Sequence, residues 1–85
     1  MSNTVIEYIP AQLVQNGKSC NVKLKLSVTV HKVDESTTPV ARTIDRYELV
    51  PTSGLEDGPY KLRYVFDGKQ KEDSVRVQGG RLLSG

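Results

Sequence analysis

Twenty residues, Gly58 to Val77 (GPYKLRYVFDGKQKEDSVRV), dictate a β-hairpin, and a hairpin this well specified constrains everything around it. Tyr60, Leu62, Tyr64 and Phe66 alternate with Lys61, Arg63 and Val65, the period-2 signature of a strand with one buried face. Asp67-Gly68 ends the run. Both central residues of a type I′ turn need φ > 0, and Asp and Gly tolerate that best. A two-residue loop pairs Phe66 with Lys69, so Tyr60 falls opposite Val75 and Arg63 opposite Glu72, an apolar pair inside and an ion pair outside. Slipping by one residue would bury Glu72 and Arg76 instead. The same register sets Lys71 and Asp73 beside Tyr64 and Leu62, so the turn end of the inner face is expected to open partly to water. Tyr60 and Leu62 are expected to be structural, as part of an apolar stripe in the core.

The chain has 85 residues, enough for one domain. At that length about 60 to 65% of the unfolded surface is buried on folding, which gives a modest core. No apolar run approaches the roughly 20 residues of a membrane helix, so no membrane partner is expected. The opening MSNTVIEYIP lacks the basic start and long apolar stretch of a secretory signal, which favours the cytoplasm. Cys20 is the one cysteine and His31 the one histidine, so neither an internal disulfide nor a cysteine-based zinc site is expected, and no cofactor loop is visible. Histidine-dependent nucleophilic catalysis would have to run through His31, which stands at the end of a strand-like run where chance placement explains it. Twelve Lys and Arg against ten Asp and Glu, interspersed along the chain, form no basic stripe, which disfavours nucleic acid as a partner.

Taken in order, Thr4 to Ile9 reads as a β-branched and aromatic strand that Pro10 should interrupt, because proline cannot donate to a ladder, and an edge position follows. Ala11 to Gln15 resumes it, and Asn16-Gly17 is a second turn signal. Val22, Leu24, Leu26, Val28 and Val30 then alternate with polar residues within a strand from Cys20 to Val33. Asp34 to Pro39 is a polar loop. In Val40 to Val50, Val40 and Ile44 share one parity but Tyr47 and Leu49 share the other, which a bulge near Asp45-Arg46 reconciles; a helix of about two turns is the rival. Pro51 to Asp57 is a loop. Residues 78–85 read as a flexible tail in which Leu82-Leu83 can dock, leaving an ordered core of about residues 4–77.

Arg42-x-x-x-Arg46 resembles the phosphate-gripping arginine pair of cyclic-di-nucleotide-binding barrels, but the companion Asp/Asn-x-Ser-x-x-Gly motif is missing downstream. The paired carboxylates Asp34-Glu35, Glu56-Asp57 and Glu72-Asp73 sit in or beside predicted turns, where solvated charge accounts for them. Glu56-x-Gly58-x-Tyr60-x-Leu62 resembles the tyrosine corner of immunoglobulin-like domains, with Leu62 at the position of the second core cysteine. Leu49 lies seven residues before Glu56, as the last apolar residue of strand E does in that family, and Leu13-Val14-x-x-Gly17-x-Ser19 resembles the approach to strand B. The resemblance implies an antiparallel sandwich in which the Tyr60 hydroxyl bonds back to the loop Pro51 to Asp57. No disulfide is possible and no Trp stands on a strand C, whereas strands C and D shrink to the loop Asp34 to Pro39.

The expected fold is therefore all-β: a small antiparallel immunoglobulin-like sandwich of about six strands without a disulfide, with a five-stranded OB-like barrel as the alternative. No nucleophile–base pair, metal cluster or cofactor loop is visible, so the expected role is a non-catalytic binding or structural module without a small-molecule substrate. The alternative role is a small nucleic-acid-binding barrel. A sandwich of this type needs about seven strands. With one short, the strand carrying Tyr60 to Phe66 is left as an edge, unless a terminal segment caps it. Lys61, Arg63 and Val65 are then the candidate interaction edge, completed by a partner protein or a second copy through strand addition.

Overall fold

Six antiparallel strands form one sheet in a computed structural model of the chain, which describes residues 2–31 and 41–83. They are β1 (Ser2–Gln15), β2 (Lys18–His31), β3 (Ala41–Leu49), β4 (Gly58–Phe66), β5 (Lys69–Gln78) and β6 (Arg81–Leu83). The strand order is β3-β2-β1-β4-β5-β6, and the sheet curls until β3 and β6 approach each other. The expectation of an antiparallel all-β domain of about six strands without a disulfide is met, and the described residues contain no helix. All six strands belong to one nearly closed sheet, a barrel-like shape that fits the alternative fold as well.

Three turns of two residues build this meander. Asn16-Gly17 (φ 51° and 78°), Asp67-Gly68 (50° and 76°) and Gly79-Gly80 (60° and 77°) each place two consecutive residues at positive φ, the type I′ geometry whose twist matches that of the flanking strands. The β4–β5 register is the one read from the sequence: Phe66 faces Lys69, Tyr60 faces Val75 and Arg63 faces Glu72. The Gly79-Gly80 turn gives a short strand where a tail was expected, and Leu82 docks against the core as that reading allowed. The turn folds Arg81–Leu83 back onto β5, with Leu82 opposite Val77. The polar loop read from Asp34 to Pro39 lies outside the described residues.

Pro10 does not interrupt β1, which runs unbroken through it and pairs it with Lys23. The reason lies in the hairpin alternation. Gln15 and Lys18 flank the turn as a hydrogen-bonded pair, so odd residues of β1 bond to β2 and even ones point their backbone groups the other way. The donor that Pro10 lacks would have faced β4, and β1–β4 pairing stops at Ala11, one residue short of it.

The bulge in β3 is where parity demanded one. Ser27 pairs with Arg46 and Val28 with Ile44, so Asp45 is the extra residue. Its carboxylate accepts a hydrogen bond from Thr29 Oγ1. Arg42 and Ile44 before the bulge and Tyr47 and Leu49 after it consequently share the inner face, whereas Arg46 lies on the outer face. Arg42 and Arg46 do not converge on a common ligand position.

Inside the curl, Leu13, Leu24, Leu26, Val28, Leu62 and Val77 are fully buried, and Tyr64, Phe66, Ala11 and Leu49 complete the core. Leu26 and Leu62 sit at its centre, as each one's apolar neighbours two positions away on both sides implied. The Tyr60 ring is half-buried against this cluster, and its hydroxyl donates to the Glu56 carbonyl at 2.8 Å, the bond expected of it.

Where β3 meets β5, side chains replace the ladder. Tyr47 Oη donates to Asp73 Oδ2 at 2.9 Å, Tyr64 Oη donates to the same oxygen at 3.3 Å, and the two rings meet edge to face at 5.9 Å. Burial, then the hydrogen bond to Asp73 and its charge, push the Tyr47 phenol up to about 12. Burial and Asp73 likewise raise Tyr64. Both phenols therefore stay protonated at neutral pH and serve as donors that tie β3 and β4 to β5. This is the end of the inner face expected to open to water: Lys69 and Lys71 are exposed, but Asp73 is partly buried under the tyrosines.

Candidate functional site

The sequence placed the open edge on β4, and the structure moves it. Lys61 and Arg63 point their backbone groups at β1 and pair with Val14 and Gln12. The N-terminal strand thus caps β4 from Lys61 to Tyr64, the exception allowed for in the sequence reading. The Lys61 and Arg63 side chains lie on the outer face, where Lys61 Nζ donates to Ser74 Oγ at 2.7 Å and Arg63 Nε to Glu72 Oε2 at 2.7 Å. Both members of the ion pair are about half-exposed, so it contributes little to stability, at most about 1 kcal/mol. Val65 is the exception. It lies one residue past the last β1–β4 pair and its side chain is 54% exposed. Tyr60 and Leu62 take the structural positions assigned to them.

β1 continues well beyond β4. From Ser2 to Pro10 it pairs with β2 on one side and with no described strand on the other. By the alternation set at the Asn16-Gly17 turn, Thr4, Ile6 and Tyr8 present N–H and C=O groups to that free side. Their side chains stand on the outer face, where Ile6 is 49% and Tyr8 59% exposed, and Val5 on the opposite face is 39% exposed. A shallow groove opens at the fork where β1 and β4 part, lined by Ile9, Pro10, Ala11, Arg63, Tyr64 and Val65 among others.

This overhang is held in place. Glu7, the one charged residue between Asn3 and Ile9, points inward and pairs with the Arg42 guanidinium of β3. Arg42 also bonds Asp67 in the β4–β5 turn and lies 4.9 Å over the Phe66 ring. One side chain thereby joins β3, β1 and the β4–β5 turn from inside the curl.

Comparison with known proteins gives no lead. No protein-family model matches the chain, and neither curated proteins nor solved structures yield a significant match. The site therefore rests on its own chemistry. It offers backbone donors and acceptors in a row with apolar side chains above them, the groups that bind an extended polypeptide.

Ile6 and Tyr8 were not singled out by the sequence reading, although one signal pointed to them. Pro10 marked an edge position, and the strand it marked was Thr4 to Ile9. Elsewhere His31 Nε2 lies 3.3 Å from Thr43 Oγ1 on the exposed end of β2, and Cys20 is exposed on the same strand.

Proposed function

We propose that the chain is a non-catalytic protein-interaction module that binds an extended strand along the free edge of β1. The observation that carries this reading is the overhang itself: Thr4, Ile6 and Tyr8 offer backbone groups on a side where no described strand pairs with them, beneath exposed apolar side chains. Proteins normally blunt such an edge with lysines, bulges or brevity. No lysine, proline or bulge lies between Asn3 and Ile9, and the one inward-pointing charge there, Glu7, is paired with Arg42.

The nucleic-acid reading draws on the barrel-like curl and on Lys23 and Lys25 beside β1. Single-strand platforms stack successive bases on several rings. Here Tyr47, Tyr60, Tyr64 and Phe66 all belong to the core or pack against it, which leaves Tyr8 as the exposed ring. Strand addition is the better-supported function.

Amide exchange in dilute protein tests it. Thr4, Ile6 and Tyr8 should exchange fast while Val5, Glu7 and Ile9, bonded to β2, are protected. Uniform protection from Thr4 to Ile9 would mean that the edge is already covered and would remove the reading.

A further inference from the structure

Several strand edges lie free of backbone pairing among the described residues, and they differ in how they are guarded. β5 is unpaired on its far side from Lys69 to Val75 and carries Lys69, Lys71, Glu72 and Asp73 there, and the free stretch of β2, Lys18 to Val22, is five residues long and begins with a lysine. The outer edge of β3 is kinked by the Asp45 bulge and carries Asp45, Arg46 and Glu48 as exposed charges. At the other border β6 has only three residues. Both are ordinary defences against pairing. The overhang of β1 is long and has no bulge, and its single charge, Glu7, which points inward, is paired with Arg42. The β1 overhang is thus the free edge least guarded by charge, bulge or brevity.

Resting on the strand-addition reading, we propose that the strand added to this edge is the same edge of a second copy, in an antiparallel arrangement about a two-fold axis through Ile6. The edge is complementary to itself. Around that axis Ile6 faces Ile6 of the second copy as a hydrogen-bonded pair, and Thr4 of each copy faces Tyr8 of the other. Three residue pairs then exchange full sets of backbone bonds, and Pro10 falls opposite Ser2, at the end of the ladder, where its missing donor costs least. On the outer face two Ile6 side chains are covered by two Tyr8 rings. No charge opposes its like, since Glu7 faces Val5 across the interface and remains on Arg42 within its own chain.

Neighbouring registers are poorer. An axis through Glu7 sets two carboxylates opposite each other at about 4.5 Å between Cα atoms. An axis through Val5 moves Tyr8 to the end of the ladder, opposite Ser2, and takes its ring away from Ile6 of the second copy. The Ile6 axis combines the largest outward apolar contact with the absence of like-charge opposition. Joining two copies this way makes one continuous sheet of twelve strands, isologous and closed at the dimer.

An edge of this length buries less than the roughly 1,200 Å² of a standard interface, so association is weak and must be followed up to about 1 mM protein. Light scattering should show the mass rising from 9.4 kDa in dilute solution toward twice that value. Ile6→Pro deletes a donor that faces the free side and removes no bond to β2. It should leave the melting transition intact and hold the protein monomeric. In a Cys20→Ser background, Ile6→Cys should form an intermolecular disulfide on mild oxidation, because the facing Cα atoms lie about 5.5 Å apart, within disulfide range. Val5→Cys should not. Cross-linking through position 5 but not 6 overturns the proposed axis. A monomer throughout, with no cross-link at either position, overturns the dimer. In that monomer, fast exchange at Thr4, Ile6 and Tyr8 would leave strand addition standing for a different partner, whereas protection there would remove both readings.

Discussion

Replacing Asp73 by Ala would test how the curl is closed. Asp73 is the acceptor for two phenols from two other strands, at 2.9 Å to Tyr47 and 3.3 Å to Tyr64. A hydrogen bond to a charged group contributes about 1.5 to 3 kcal/mol when well buried. Tyr47 is only half-buried, so water can replace part of its bond and about 1 to 2 kcal/mol remains; the longer bond of Tyr64 adds about 0.5 to 1. The variant should lose about 1.5 to 3 kcal/mol, a large part of the 5 to 10 or so that a domain this small has. With a urea m value of about 1 kcal/mol/M, the midpoint falls by about 1.5 to 3 M. A Tyr47→Phe cycle with Asp73→Ala should return a coupling of about 1 kcal/mol. Alkaline stability gives the same reading independently. The folded state holds the Tyr47 proton up to about 12 against an ordinary value of 10.0. The stability linked to this proton is fully present below pH 10.0 and is lost as pH rises toward about 12. The loss should be shallower in Tyr47→Phe. An Asp73→Ala midpoint equal to wild type, with an unchanged alkaline profile in Tyr47→Phe, would show that the seam is closed by something other than this cluster.

Two further outcomes follow from the core and the loop. Leu26→Ala and Leu62→Ala each empty a fully buried site and should cost about 2 to 5 kcal/mol; thermal unfolding at an unchanged midpoint in both would show that the centre of the core is elsewhere. Tyr60→Phe removes the 2.8 Å bond to the Glu56 carbonyl and should cost about 0.5 to 1.5 kcal/mol, measured as a fall in the urea midpoint, since water reaches that carbonyl and limits the penalty. No change in the midpoint would show that the bond does not hold the loop.

The parts of this fold legible in the sequence are those fixed by neighbours along the chain. Asp67-Gly68 and the alternation beside it determined every pair between β4 and β5, and the parity change between Ile44 and Tyr47 located the bulge. Pro10 was read correctly as an edge residue and wrongly as a break, because the sequence does not say toward which side its absent donor points. That follows from the Asn16-Gly17 register together with the position of β4. The Gly79-Gly80 turn escaped notice since three residues are too few to show alternation. Arg42 was read with Arg46, its neighbour in sequence, whereas its real partners Glu7 and Asp67 are brought to it by the long-range pairing of β1 with β4 and by the curl. Tyr47 and Asp73, 26 residues apart, met for the same reason. The candidate edge was displaced by one strand because its location depended on whether the N-terminal strand packed beside β4.

Asp45 has a consequence for how such a fold can change over time. Anywhere else in β3 the gain or loss of one residue inverts inside and outside for everything beyond it, a frameshift in three dimensions. At Asp45 the loss of one residue restores simple alternation: Ile44 and Tyr47 keep their faces, and Ser27 and Val28 keep their partners. What changes is the bend. A lineage could therefore tighten or relax the curl of the sheet by a single codon at this point while every buried side chain stays where it was.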